Sequence, residues 1–224
     1  MTLEKLRIFG NPNIGVYVFT NNKVTLVPEG IHEEAKRLLR DVLGTDVIEI
    51  RVADSPLIGV LTAGNDKTVL LPKITRDEEL DRLKEAGVPV RVIQMSFTAL
   101  GNVILTNNKF ALLHPEISDV ETEIVRSELG VLSVRRGAIA KVLTVGSVGV
   151  LNDYSGVFHP DVGNDELKTL EGFFNVRVGT ATVNFGVGFV KVGLVMNNNG
   201  AVVGELTTGP EIMRITNILN FQRH

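Results

Sequence analysis

One pattern constrains this chain more than any other: it repeats five times along the 224 residues. A Gly is followed by a short apolar run, an Asn-containing turn, a second apolar run and often a Pro. The Gly markers are Gly15, Gly59, Gly101, Gly146 and Gly193, about 45 residues apart, so five copies use the whole length and predict a single domain over residues 1–224. In the first four copies the turn begins six residues after the Gly, as Asn21-Asn22, Asn65-Asp66, Asn107-Asn108 and Asn152-Asp153. The fifth, Asn197-Asn198-Asn199-Gly200, is out of step with Gly193. Asn and Asp tolerate positive φ and hydrogen-bond their own backbone, so each pair between apolar runs predicts a β-hairpin.

Each hairpin leads into a helical pattern with its own start and stop signals. In the first copy Ile31, Ala35, Leu38, Leu39 and Val42 share a face, and Gly44 is placed to end the helix in the left-handed region. Thr75 with Glu78 and Ser118 with Glu121 have capping-box spacing, Asn164 is a candidate N-cap, and Pro210 suits a first helical turn. Gly87, Gly130 and Gly172 are the expected stops of the middle three helices.

A strand is predicted after each of the first four helices, over 47–52, 90–95, 131–134 and 176–178, which makes the unit β-β-α-β. The fifth helix, about Glu211 to Asn220, lacks one, while the chain opens on an orphan strand, Leu6 to Phe9. An open solenoid needs polar end repeats, and these end repeats are as apolar as the middle ones. The expectation is therefore an α/β repeat fold in which residues 6–9 complete the fifth unit and close a ring about a pseudo-fivefold axis.

Composition removes several chemistries. With no Cys there is no disulfide, Cys-ligated zinc or thiolate nucleophile. A formal charge of −3 argues against a surface that is basic all round. No apolar stretch approaches a membrane span and the N-terminus lacks a signal-peptide pattern, so a cytoplasmic protein away from membranes is expected. His32-Glu33-Glu34-Ala35-Lys36 has Lys where a zinc-protease motif needs its second His, and Gly186-Val187-Gly188-Phe189-Val190-Lys191 has Lys where a dinucleotide loop needs its third Gly. No cofactor, metal or nucleotide is expected. His114 and His159 precede Pro115 and Pro160 in equivalent copies, as a structural slot would. Arg135, Arg136 and Lys141 make the compact basic cluster, with Arg223 and His224 at the end, and solvated charge is the favoured reading of both.

The third copy, from Ala99-Leu100-Gly101-Asn102 through Thr106-Asn107-Asn108-Lys109 to His114-Pro115, closely resembles the same stretch of the translation initiation factor 6 family, the ribosome anti-association factors of archaea and eukaryotes. Pro56-Leu57-Ile58-Gly59, Leu70-Leu71-Pro72, Val157-Phe158-His159-Pro160, Ala181-Thr182-Val183-Asn184 and Val195-Met196-Asn197-Asn198 extend the likeness over the whole chain. The resemblance implies a pentein fold of five β-β-α-β units. It implies binding to the large ribosomal subunit at its intersubunit face, chiefly to a ribosomal protein of the L-fourteen family beside the sarcin–ricin loop, with minor rRNA contact. Premature joining of the small subunit is thereby blocked, and a part in large-subunit biogenesis is implied as well. The chain stops soon after the fifth helix, as archaeal members do, and a monomer is expected.

Carried over to this sequence, the ribosome-binding residues are Gly15, Gly59, Val60, Gly101, Asn102, Gly146, Ser147, Lys191 and Gly193, with Asn102 foremost. A Gly at a strand start admits another backbone, and the Asn beside it offers a donor and an acceptor; the alternative for the glycines is that each serves only a bend. Two other functions stay open: a scaffold that binds a different protein, and an enzyme using Ser, Thr or His.

Overall fold

The computed structural model describes residues 2–220. Among them the chain forms five three-stranded sheets and five helices of 9 to 12 residues. In the first unit Phe19–Thr20 pairs antiparallel with Val24–Pro28, which pairs parallel with Asp46–Ile50. The helix Glu33–Leu43 supplies the crossover that a parallel pair requires. Three more sheets repeat this order: Ala63–Gly64, Val69–Pro72 and Val90–Ile93; Ile104–Thr106, Phe110–Leu113 and Ser133–Arg136; Gly149–Leu151, Ser155–Phe158 and Arg177–Thr180.

The fifth sheet takes its last strand from the other end of the chain. Leu194–Met196 pairs antiparallel with Gly200–Gly204, and Thr2–Leu6 lies parallel to the latter, Thr2 opposite Gly200 and Leu6 opposite Gly204. The orphan strand therefore completes the fifth unit, as residues 2–6 and not 6–9. The shift has a local cause: Ile8 and Asn11 bridge across a tight turn in which Phe9 and Gly10 have φ of 52° and 73°, so the strand has ended before Phe9.

Gly44 and Gly130, at φ 62° and 61°, end their helices as the sequence predicts, and Ser118 with Glu121 forms a capping box at Asp119–Leu129. Other signals fall a residue or more away. Glu79, not Glu78, reaches back to the N–H of Arg76, while the Thr75 hydroxyl donates to the carbonyl of Pro72. Gly163, not Asn164, is the N-cap of Asn164–Phe174. Gly172 lies inside that helix because the buried Phe173 and Phe174 carry it on to Asn175, at φ 51°.

The core is divided into five clusters, each shared by neighbouring units. Leu70 and Ile93 of the second unit pack with Leu100, Leu113 and Leu129 of the third. Val195 and Val202 of the fifth pack with Ile14, Leu39 and Leu43 of the first.

Candidate functional site

The Asn turns meet around one point. The backbone N–H of Asn22 donates to the Asp66 side chain, that of Asp66 to Asn108, that of Asn108 to Asp153, that of Asp153 to Asn198, and that of Asn198 back to Asn22, all at 2.8–3.0 Å. The side-chain amides of Asn22, Asn108 and Asn198 add bonds of 2.7 Å to the Asp66 and Asp153 carboxylates. The preceding Asn of each pair bonds inward to its own turn: Asn21 Oδ1 accepts from the N–H groups of Lys23 and Val24 at 2.8 Å.

Above these turns the first strands of all five units line a central cavity of about 70 Å³. Of the marker glycines Gly101 and Gly146 line it as well, and at the marker positions the structure corrects two expectations. The glycines do not begin strands. They lie in single helical turns, Ile14–Val16, Ile58–Leu61 and Leu100–Val103, or in the matching turn at Gly146. A methyl group on Gly59 would overlap the carbonyl of Gly15, one on Gly101 that of Gly59, one on Gly146 that of Gly101, and one on Gly15 that of Lys191. The fifth member of the series is thus Lys191 and not Gly193, where a Cβ would instead meet Val183 and Asn184. Counted from Lys191, Asn197-Asn198 is in step with the other four turns.

A second series was only partly legible in sequence. Glu79, Glu121, Glu166 and Glu211 occupy the same position of four successive helices, and each accepts from the backbone of the turn that follows a sheet's last strand. Ala35 stands in that place in the first helix. Their recurrence about every 45 residues was the available signal. Burial works to raise the pKa of Glu211, but donors from Thr208, Gly186 and Thr182 outweigh it and hold the carboxyl at about 2. Glu121, with Ser96 and Ser118 as donors against its own desolvation, is likewise held at about 2.

These carboxylates support a row of tight turns beside the glycine turns, and the tips are unusual. Ala53 and Asp54, Ala140 and Lys141, and Asn184 and Phe185 all have positive φ. Phe9, Leu57, Leu143, Phe185 and Phe189 are exposed apolar side chains of these same connections. The Asn184 amide ties its turn to the first unit by donating to the carbonyl of Pro12 at 2.9 Å.

Of the residues singled out from sequence, Gly15, Gly59, Gly101, Gly146 and Gly193 are buried, whereas Val60, Asn102, Ser147 and Lys191 are half-buried. Val60, Asn102 and Ser147 follow a marker Gly, where the first and fifth units have Val16 and Val192. Polar side chains therefore occupy this position in two adjacent units only. The Ser147 hydroxyl donates to the carbonyl of Thr144. Histidines 114 and 159 each accept, through Nδ1, the N–H two residues on, at 3.2 Å. Arg136 is paired with Asp119, Arg135 lies 4.4 Å from the Phe173 ring, and Lys36 of the His32 segment is paired with Glu33 and Glu49. Arg223 and His224 lie outside the described residues.

The model of the eIF-6 family matches residues 3–218 of this chain. The chain belongs to the eIF-6 family. Among its relatives, translation initiation factor 6 of Saccharolobus islandicus (strain L.S.2.15 / Lassen #1) is 49% identical over 98% of this chain and 99% of its own length. That of Saccharolobus solfataricus is 48% identical over 98% and 99%, and that of Pyrococcus horikoshii 39% identical over 99% and 100%. These eIF-6 family members are archaeal and are named for a non-enzymatic role in translation initiation. A solved structure, the N-terminal domain of a singly substituted ArgZ covalently bound to a reaction intermediate, is similar in fold with a TM-score of 0.50 and 10% identity, over 75% of this chain and 67% of that one. No helix among the described residues is long and apolar enough to cross a membrane.

Proposed function

We propose that this chain is a ribosome anti-association factor: a monomeric, cytoplasmic pentein of one domain that occupies the intersubunit face of the large ribosomal subunit and sterically blocks the small one. The observation that carries this reading is the 49% identity to a translation initiation factor 6 over nearly the full length of both chains. The ring closure in this proposal is supported by the fifth sheet, which joins the two ends of the chain, and by the turn series that returns to Asn22. A part in large-subunit biogenesis goes with the same binding site.

The partner in this reading is a ribosomal protein of the L-fourteen family beside the sarcin–ricin loop. Exposed Phe9, Leu57, Leu143, Phe185 and Phe189 give the face of turns the apolar character of a protein-binding patch. Val60, Asn102 and Ser147 contribute its side-chain contacts, while the buried glycines Gly15, Gly59, Gly101, Gly146 and Gly193, and the backbone of Lys191, shape the surface beneath them. Asn102 is the centre of the proposal, since no side-chain hydrogen bond engages its half-buried amide among the described residues. Blocking by bulk needs no covalent step, and the two histidines in equivalent slots spend Nδ1 on backbone N–H groups. Arg135 and Arg136 are engaged within the fold, which favours a minor rRNA share and a shallow salt dependence.

The test is sedimentation of large subunits with this protein, followed by small subunits under joining conditions. Co-sedimentation with loss of joined ribosomes is expected. No binding to clean subunits of the matching organism would overturn the proposal and leave the scaffold that binds another protein.

A further inference from the structure

Four of the five units have Gly at one equivalent position, two of which, Gly101 and Gly146, line the central cavity, and the fifth unit has a lysine there that lines it too. Lys191 is the sole charged residue lining that cavity among the described residues. The other lining side chains are aliphatic or aromatic, apart from Thr20, Thr62 and Thr106, whose hydroxyls already donate to backbone carbonyls. No carboxylate forms an ion pair with Lys191 among the described residues, and its ammonium makes no hydrogen bond there. The two carboxylates of the Asn turns, Asp66 and Asp153, are occupied by the amides of Asn22, Asn108 and Asn198.

A half-buried cation held among apolar side chains without a partner is costly, and proteins relieve that cost by pairing the charge or by losing its proton. Loss of hydration draws the Lys191 pKa down from 10.5 to about 8, which still leaves most of it protonated at pH 7. The charge is present, the space beside it is open, and no protein group neutralises it.

We propose that the central cavity binds a small monovalent inorganic anion of chloride size, paired with the Lys191 ammonium. Volume decides the class of ligand. A single water needs roughly 10–15 Å³, so about 70 Å³ on the same measure has room for a halide with a few waters. The site is specific to the fifth unit, because no other unit carries a side chain at this position.

Two measurements test it. Crystals of the full chain grown in bromide, used as a chloride surrogate, are expected to show an anomalous peak in the cavity within about 3.5 Å of Lys191 Nζ; a cavity holding only water overturns the site. In solution, replacing gluconate, a bulkier anion that fits a chloride-sized site poorly, by chloride at equal ionic strength is expected to raise Tm by about 5 °C. Lys191→Gly installs the residue of the other four units and is expected to abolish that difference. An equal chloride response in both proteins overturns the proposal, and should the variant fail to fold, the bromide map decides.

Discussion

Phe185 combines two costs at one residue: it sits at φ 65°, where L side chains crowd the backbone, and 83% of its surface is exposed. Neither cost helps the fold, so Phe185→Gly is expected to leave stability unchanged or raise it by up to about 1 kcal/mol of relieved strain, read as an equal or higher Tm. In the proposed function it also weakens large-subunit binding; unchanged affinity in a pelleting assay would remove this tip from the interface. Asn102→Glu would place an unpaired charge in that interface and is expected to lower subunit affinity severalfold with Tm intact. Glu211 is expected to govern acid stability. Its carboxyl titrates near 4.5 when unfolded and near 2 when folded, so its contribution, about 3 kcal/mol, is complete above pH 4.5 and is lost as pH falls toward 2. Glu211→Gln should lower stability at pH 7 and flatten that part of an acid-unfolding curve; a curve of unchanged slope would mean that the donors around it do not hold its charge. The pair Ser118 and Glu121 was readable from local spacing; for Glu211 the same spacing covers only its bond from Thr208, and its partners at Phe185 and Gly186, 26 and 25 residues away, were not readable.

At the scale of elements, hairpins, helices and stops followed from period and turn chemistry, and the boundaries moved where burial competed with a local signal. Phe173 and Phe174 override Gly172 in this way. The single helical turns escaped the sequence reading altogether. Three or four residues carry no helical period, and these turns are fixed by contact with the neighbouring unit. Gly101→Ala tests that contact. Its methyl would overlap the carbonyl of Gly59, a backbone atom that cannot swing aside, so a loss of several kcal/mol is expected in denaturant unfolding. The same substitution at Gly163, where no atom lies within 4 Å of the added Cβ, is the control and should change stability by less than about 1 kcal/mol. Equal effects would show that the glycine turns tolerate separation. The misreading of Gly193 has the same origin: distance along the chain pointed to a Gly, whereas the contact made with Gly15 selects Lys191.

For the whole molecule, the five copies made the unit and its number legible before any coordinate, and the unpaired first strand foretold where the fifth sheet would find its missing member. Removing residues 1–10 takes away Thr2–Leu6 and leaves the edge of Gly200–Gly204 unpaired. Loss of the folded monomer or its self-association is expected on gel filtration, and an unchanged melting curve would refute a structural role for that strand. Because the first strand belongs to the last unit, the point at which the polypeptide begins is one choice among five. The natural break falls between a helix and the strand that completes its sheet; the same connection in the second unit runs from Ala86, past the exposed Gly87 at φ 75°, to Pro89. A circular permutant opened there, with the native ends linked, keeps every sheet intact and only moves the seam from one sector to another.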